Sequence, residues 1–345
     1  MRSMMLTGIR EMEMRTIPDP KITTDTDVLI RMERIGVCGS DVHYYTTGRI
    51  GSMVVNYPFP VGHEGAGTIE QVGKSVTKVK PGDRIAIEPA MSCGHCDQCL
   101  AGRPHTCRNL KFLGCPGQAE GSLSDLIVMP EKNCYAIPDR MSFDQAALSE
   151  PLSIGIYAVE LSKLTMQGKR IGILGFGPIG MSVFLTSKSR QTEKIYVTDK
   201  IEERLAMARK VGATWTGNPD NEDIVKAVSD KEPLLLDIVF ECCGQQDALV
   251  QAIDILKPGG KIMIVGIPEF DNWSIPADRA RRKEICLQNV RRQNECVQPA
   301  LDQIASGKIN VDQMVTHRFP FEKTKEAFDM VADYKDGVMK AMIDF

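Results

Sequence analysis

Arg170-Ile-Gly-Ile-Leu-Gly175-Phe-Gly177-Pro178-Ile179-Gly180 is the stretch on which the fold reading turns. Its first half is a short apolar run of the kind buried in a parallel sheet, and its second half is a G-x-G-x-x-G. The glycine pattern alone is a weak signal. Here it follows a strand candidate, opens a helix candidate from about Pro178 to Ser189, and precedes a second strand candidate, Ile195 to Asp199. In that setting Gly175 permits a tight turn and Gly177 lets backbone approach a pyrophosphate. Gly180 lets helix and strand pack closely, while the unpaired N–H groups of the helix start face the phosphates. Asp199 stands where an acid accepts hydrogen bonds from the adenosine ribose, and its charge would repel a 2′-phosphate, which favours NAD over NADP. Arg204, close by, is a residue type that can hold that phosphate. The competing reading is a glycine-rich turn with no ligand, against which strand, helix and acid together weigh.

Downstream the alternation continues. Leu234 to Glu241 reads as a strand, a helix ends near Leu256, and Lys261 to Gly266 reads as another strand after the turn Lys257-Pro-Gly-Gly260. Strands alternating with helices through short turns imply a parallel sheet covered on both faces. From Arg292 two amphipathic helices are expected, Val297 to Ser306 and Glu322 to Val331, and then a strand from Val338 to Phe345. Upstream the texture is different. Residues 1 to 150 are strand-rich and closely punctuated by Gly and Pro, as in Gly65-Ala-Gly-Thr-Ile-Glu-Gln-Val-Gly73 and Pro81-Gly82, which suits a small barrel. A chain of 345 residues exceeds what one compact core usually accommodates, so two domains are expected.

Cys93-Gly-His-Cys96-Asp-Gln-Cys99 followed by Cys107 gives C-x2-C-x2-C-x7-C. Four thiolates this close in sequence can close a tetrahedron around zinc, and a complete thiolate shell makes such a zinc structural. Iron–sulfur clusters also use four cysteines, but with other spacings. A nucleic-acid zinc ribbon would want more basic residues than Arg103, Arg108 and Lys111. His95 and His105 are expected to be solvent-exposed, since four cysteines suffice.

Cys38-Gly-Ser40-Asp41-Val-His43, Gly62-His63-Glu64 and the distant Glu150 are individually weak clues, because a lone Cys or His usually packs in a core or sits on the surface. Together they offer one thiolate, one imidazole and carboxylates, the mixed donor set of a catalytic zinc that keeps a position open.

These residues carry a resemblance. Gly62 to Gly67 with Gly73 and Val76, the Pro81-Gly-Asp-Arg84 turn, the four-cysteine lobe and Gly175 to Gly180 resemble the zinc-dependent medium-chain dehydrogenases. Cys38 to Tyr44 and Glu150 to Ile156 resemble the sorbitol (polyol) branch in particular, and the match covers essentially the whole chain. The resemblance implies an α/β protein. A GroES-like β-barrel catalytic domain would span 1–150 with its structural zinc lobe at 93–107. A Rossmann doubly wound parallel-sheet domain would span 151–291, and 292–345 would return to the catalytic domain. It also implies two Zn2+ per chain and NAD. Cys38 and His63 would bind the catalytic zinc, with Glu64 or Glu150 as the further ligand. Asp41 would orient His63, Ser40 would touch the substrate hydroxyl, and His43 would pass its proton outward. Tyr44 resembles a substrate-pocket residue. Ile179, Arg204, Val265-Gly266-Ile267 and Asn289-Val290-Arg291 match cofactor-contacting positions. The implied reaction is hydride transfer from a secondary alcohol of a small polyol to NAD, since zinc lowers a bound hydroxyl's pKa and the nicotinamide accepts the hydride. A sugar acid, a sugar-alcohol phosphate or threonine is the alternative substrate, and a non-catalytic zinc and nucleotide scaffold is the distant one.

One stretch departs from the polyol pattern. Arg292 follows Arg291 where an aromatic is expected, and with Arg279, Arg281, Arg282 and Lys283 it suggests a basic cluster. Such a cluster reads either as a site for an anionic substrate or as a solvated face or subunit contact. Cys115, Cys134, Cys242, Cys243, Cys286 and Cys296 lack metal-like spacing and are expected to pack as small apolar groups. A formal net charge of -3 gives no reason to expect a nucleic-acid partner, and no apolar run is long enough to span a membrane. The first residues lack a signal-peptide pattern, so the thiols are expected in a reducing cytoplasm. A homotetramer, or else a dimer, follows from the resemblance alone.

Overall fold

The long strand Asp27–Gly36 organises the first half of the molecule. In this computed structural model, which describes all residues from Met1 to Phe345, that strand pairs antiparallel with Glu64–Val72 along one side. On its other side Leu126–Pro130 pairs with its first half and Lys340–Asp344 with its last. The chain's last strand therefore completes a sheet begun near its start. Arg84–Ile87 and Cys134–Ala136 extend the sheet beyond Glu64–Val72, and Val315–Pro320 lies parallel to Lys340–Asp344 at the other edge. Val28, Ile30 and Met32 share one face of the organising strand and pack with Ile69, Ile85 and Ile127. Ile35 and Val37 join a second cluster with Tyr45, Phe321 and Phe328. These segments belong to one unit, Met1–Glu150 with Val297–Phe345.

Pro151–Cys296 forms the other unit, around a six-stranded parallel sheet. Its strands, in spatial order, are Trp215–Gly217, Lys194–Thr198, Arg170–Leu174, Leu236–Glu241, Leu256–Ile264 and Cys286–Asn289. Counted along the chain this is the order 3-2-1-4-5-6 of a doubly wound sheet, and the order reverses between Arg170–Leu174 and Leu236–Glu241. Ligands of such sheets bind outside the carboxyl ends of the strands at that reversal. The expected helix at Pro178 runs to Ser189, with Gly177 as its N-cap. Residues Arg292 to Cys296, expected with the C-terminal return, stay with this unit.

Several elements differ from the sequence reading. The helix Ser149–Leu161 runs across the expected domain boundary between Glu150 and Pro151. Proline lacks only a donor that the first helical turn does not use, so it is tolerated there. The short strand Trp215–Gly217, the helix Ile224–Lys231, and the strands Cys286–Asn289 and Val315–Pro320 were not expected. The cysteines without metal spacing divide: Cys115, Cys134 and Cys296 are buried, whereas Cys243 and Cys286 are exposed and so do not pack as core groups. No helix is long and apolar enough to cross a membrane.

Candidate functional site

Cys38 ends the organising strand's connection and caps the helix Gly39–Thr47, so its sulfur lies at the positive end of the helix dipole. His63 and Glu64 stand where the chain enters the strand Glu64–Val72, which pairs with the Gly36 end of Asp27–Gly36. That pairing brings the two segments together. Ligand atoms of Cys38, His63 and Glu64 all lie within 4.8 Å of one another. Ser40 Oγ donates to Cys38 Sγ at 3.3 Å. Asp41, 1% exposed, faces His63 Nδ1 at 3.2 Å and accepts from the Gly62 amide at 3.1 Å. The Asp41 contact at Nδ1 leaves Nε2 as the nitrogen for a metal. Burial works against a charged His63, but Asp41 and Cys38 outweigh it and raise the imidazole well above its ordinary value.

Glu64 has a partner that the sequence reading missed. Lys340 Nζ, on the last strand, donates to both carboxylate oxygens at 2.7 and 2.6 Å and to the Val37 carbonyl at 3.1 Å. Both side chains are 1% exposed. Burial pushes the Lys340 ammonium down, and the charges of Glu64 and Cys38 bring it back above its usual value. Glu150 is buried and close enough to raise Lys340 further, yet it lies outside the Cys38–His63–Glu64 group. Lys340 opens a strand whose first four residues are all buried, and a lysine gives no sequence cue to such burial. Ser40 and His43 are half-buried and three residues apart, hence on one face of their helix. Tyr44 is buried among core residues, with its hydroxyl 3.7 Å from Cys115 Sγ.

The four-cysteine lobe closes on itself. The sulfurs of Cys93, Cys96, Cys99 and Cys107 lie within 4.8 Å of one another, with Cys96 3.6 Å from Cys99, 3.8 Å from Cys107, and Cys93 4.0 Å from Cys99. A zinc with four sulfurs at about 2.3 Å has tetrahedral edges of about 3.8 Å, so this spacing fits zinc. Amides of Cys93 and Asn109 donate to Cys107 Sγ at 3.3 and 3.4 Å, which suits a thiolate. His95 is exposed as expected, but His105 is buried at 4% and is therefore not the solvent-facing residue the sequence suggested. It sits in the short helical turn Pro104–Thr106 that leads into Cys107.

In the parallel-sheet unit Gly175 has φ of +94°, and a Cβ on Gly180 would stand 2.0 Å from the Gly175 carbonyl oxygen. Only glycine fits either position. A Cβ on Gly177 would meet nothing nearer than Arg204 Nη1 at 3.5 Å. Asp199 accepts from the amides of Phe176 at 2.6 Å and Ile201 at 2.9 Å. It thus ties the glycine turn to the next strand, while Arg204 Nη1 stands 4.0 Å from it. Val265, Gly266 and Ile267 follow the strand Leu256–Ile264, and Asn289, Val290 and Arg291 end the edge strand and the turn after it. The basic residues nearby do not form one patch. Arg279 pairs with Asp254, and Arg281 and Arg282 pair with Asp278. Lys283 caps the helix Gln246–Ile255 through the carbonyls of Ile253, Asp254 and Leu256. Arg291 is exposed and Arg292 half-buried with φ of +55°.

Comparison with known proteins agrees with this arrangement. Residues 24–139 match the model of the alcohol dehydrogenase GroES-like domain. Residues 178–306 match the model of zinc-binding dehydrogenases. The chain is 35% identical over 346 residues to a sorbitol dehydrogenase of Bacillus subtilis (strain 168), covering 99% of this chain and 97% of that one. It is 34% identical over 313 residues to an L-idonate 5-dehydrogenase of Vitis vinifera, covering 89% and 85%. A solved Escherichia coli oxidoreductase/dehydrogenase of unknown specificity superposes with a TM-score of 0.93 at 34% identity, over 99% of this chain and 98% of that one.

Proposed function

The chain belongs to the zinc-dependent alcohol dehydrogenase family, and we propose that it oxidises a secondary alcohol of a neutral polyol to a ketose, with NAD as the hydride acceptor. The observation that carries this reading is the convergence of Cys38, His63 and Glu64 within 4.8 Å, with Asp41 on His63 and Lys340 on Glu64. A thiolate, an imidazole and a carboxylate form a donor set for zinc with room for a further ligand. When bound, zinc lowers the pKa of a substrate hydroxyl and the nicotinamide accepts the hydride.

The chain's own residues do the rest. Asp41 holds the His63 ring by Nδ1 and fixes its tautomer. Lys340 holds Glu64 at both oxygens, so this carboxylate neither rotates away nor stands as an uncompensated buried charge. Ser40 Oγ, which donates to Cys38 Sγ in this structure, would turn its proton toward His43 on the same helix face while accepting that of the substrate hydroxyl, and His43 would pass a proton to solvent.

Asp199 supports NAD. Its oxygens each accept one backbone amide and keep lone pairs for ribose hydroxyls. Arg204 beside Gly177 is the feature that favours NADP instead. The pairing of Arg279, Arg281, Arg282 and Lys283 with nearby acids and carbonyls favours a neutral substrate over an anionic one. The test is steady-state formation of reduced nicotinamide from sorbitol, xylitol, L-idonate and galactitol 1-phosphate, each with NAD and NADP. Higher kcat/KM for the neutral polyols with NAD is expected. Preference for the acid or the phosphate would overturn the substrate reading, and preference for NADP the cofactor reading.

A further inference from the structure

Glu241 is the last residue of the strand Leu236–Glu241, which with Arg170–Leu174 flanks the point where the parallel sheet's strand order reverses. Its side chain is fully buried. Oε1 accepts from the Cys243 amide at 2.8 Å, the Gly244 amide at 2.6 Å and the Cys243 thiol at 3.1 Å. Oε2 has no hydrogen-bond partner. The backbone carbonyl of the same residue accepts from Val265 at 2.8 Å and Gly266 at 3.0 Å. One residue therefore ties two turns that leave adjacent strands.

The turns are packed to the limit of glycine. A Cβ on Gly266 would come 2.2 Å from the Gly244 nitrogen and 2.8 Å from Glu241 Oε2. A Cβ on Gly175, the first glycine of the dinucleotide motif, would come 2.7 Å from Cys243 Cβ. The Glu241 turn thus abuts the glycine turn itself. Burial raises the Glu241 carboxyl, against the bonds from Cys243 and Gly244 that lower it.

We propose that Glu241 is the positioning residue of the dinucleotide site: it holds the Cys243–Gly244 and Val265–Gly266 turns against Gly175, in the shape that the cofactor binds. This rests on the dinucleotide reading of the glycine turn and not on the identity of the alcohol. On this reading a bound dinucleotide would shield Cys243, exposed at that turn, and leave Cys286, exposed on the edge strand, open to solvent.

The experiment uses the full-length zinc-loaded enzyme with the variants Glu241→Leu, Glu241→Asp and Glu241→Gln, and NADH as the probe. In Glu241→Leu the amides of Cys243 and Gly244 lose their acceptor, and NADH affinity is expected to fall about tenfold or more. KM for NAD follows, while kcat at saturating NAD and the zinc content hold. Glu241→Gln keeps an oxygen acceptor and restores affinity to within about threefold, and Glu241→Asp, too short to reach both amides, falls between. Should Glu241→Leu fail to fold, the Asp and Gln pair decides. In the parent protein NAD is expected to slow alkylation of Cys243 and leave Cys286 unchanged. Unaltered NADH affinity in the Leu and Asp variants, a loss confined to kcat, or a Gln variant as weak as Leu would overturn the proposal. A parent protein that binds no NADH overturns the dinucleotide reading beneath it.

Discussion

The two cysteine-bearing centres of the unit Met1–Glu150 with Val297–Phe345 solve one problem in opposite ways. The lobe takes all four donors from Cys93 to Cys107, so a short loop makes the whole shell, and its sulfurs need little from the surrounding sheet. The other centre takes Cys38 from a helix start and His63 and Glu64 from a strand start, with Lys340 from the last strand as support. Its geometry exists only when the sheet is assembled. The lobe is complete and chemically closed; the other keeps a donor short, and its members are braced by Asp41 and Lys340. A closed shell holds structure, and an incomplete, braced one does chemistry.

That contrast can be broken experimentally, beginning where the effect is largest. Cys38→Ala or His63→Ala is expected to lower kcat/KM by about a thousandfold or more, equivalent to the several kcal/mol that a metal centre supplies. Circular dichroism should stay native and one zinc should remain. Persisting turnover in such a protein would erase the distinction. Lys340→Met comes next. In zinc-free protein, where no metal offsets Glu64, it strands that buried charge and is expected to cost about 3–5 kcal/mol in chemical denaturation, most of which Lys340→Met with Glu64→Gln recovers. No difference between single and double variants would mean that Lys340 does not brace the centre. Cys99→Ser opens the lobe: one zinc is lost, the loop becomes protease-sensitive, and turnover of the protein that stays folded falls by no more than about tenfold. A loss as deep as that of Cys38→Ala would put the lobe in the chemistry. The least invasive perturbation concerns access. A small chelator should strip activity while one zinc remains, because the open centre exchanges ligands and the closed shell does not.

The same contrast explains what could be read from the sequence. The lobe was legible because its donors are neighbours in the chain, and the helix Pro178–Ser189 because the glycine turn after a strand and the proline at its first position agree there. Cys38, His63 and Glu64 were legible only as separate fragments. Which carboxylate joins them depends on the pairing of Glu64–Val72 with Asp27–Gly36, and it is Glu64, not Glu150, that enters the group. Lys340 escaped because the groups that receive its ammonium, the Val37 carbonyl and the Glu64 carboxylate, lie 303 and 276 residues away in the chain. His105 was misjudged for a related reason: a histidine beside metal-binding cysteines reads as surface, yet the turn into Cys107 folds it inward. The basic cluster around Arg281 dissolved into pairs: Asp278 meets Arg281 and Arg282 one turn away on the same short helix, and Asp254 meets Arg279 only where two helices pack. Val315–Pro320 was missed because it alternates half-buried and exposed residues and ends in proline, which marks an edge strand only once its neighbour is known.

The most direct test of the account is an anomalous difference map across the zinc absorption edge from crystals of the active enzyme. Two zinc peaks per chain are predicted: one within about 2.3 Å of all four lobe sulfurs, the other at that distance from Cys38 Sγ and about 2.1 Å from a His63 nitrogen. A single peak, confined to the lobe, in crystals that still turn over an alcohol would contradict it.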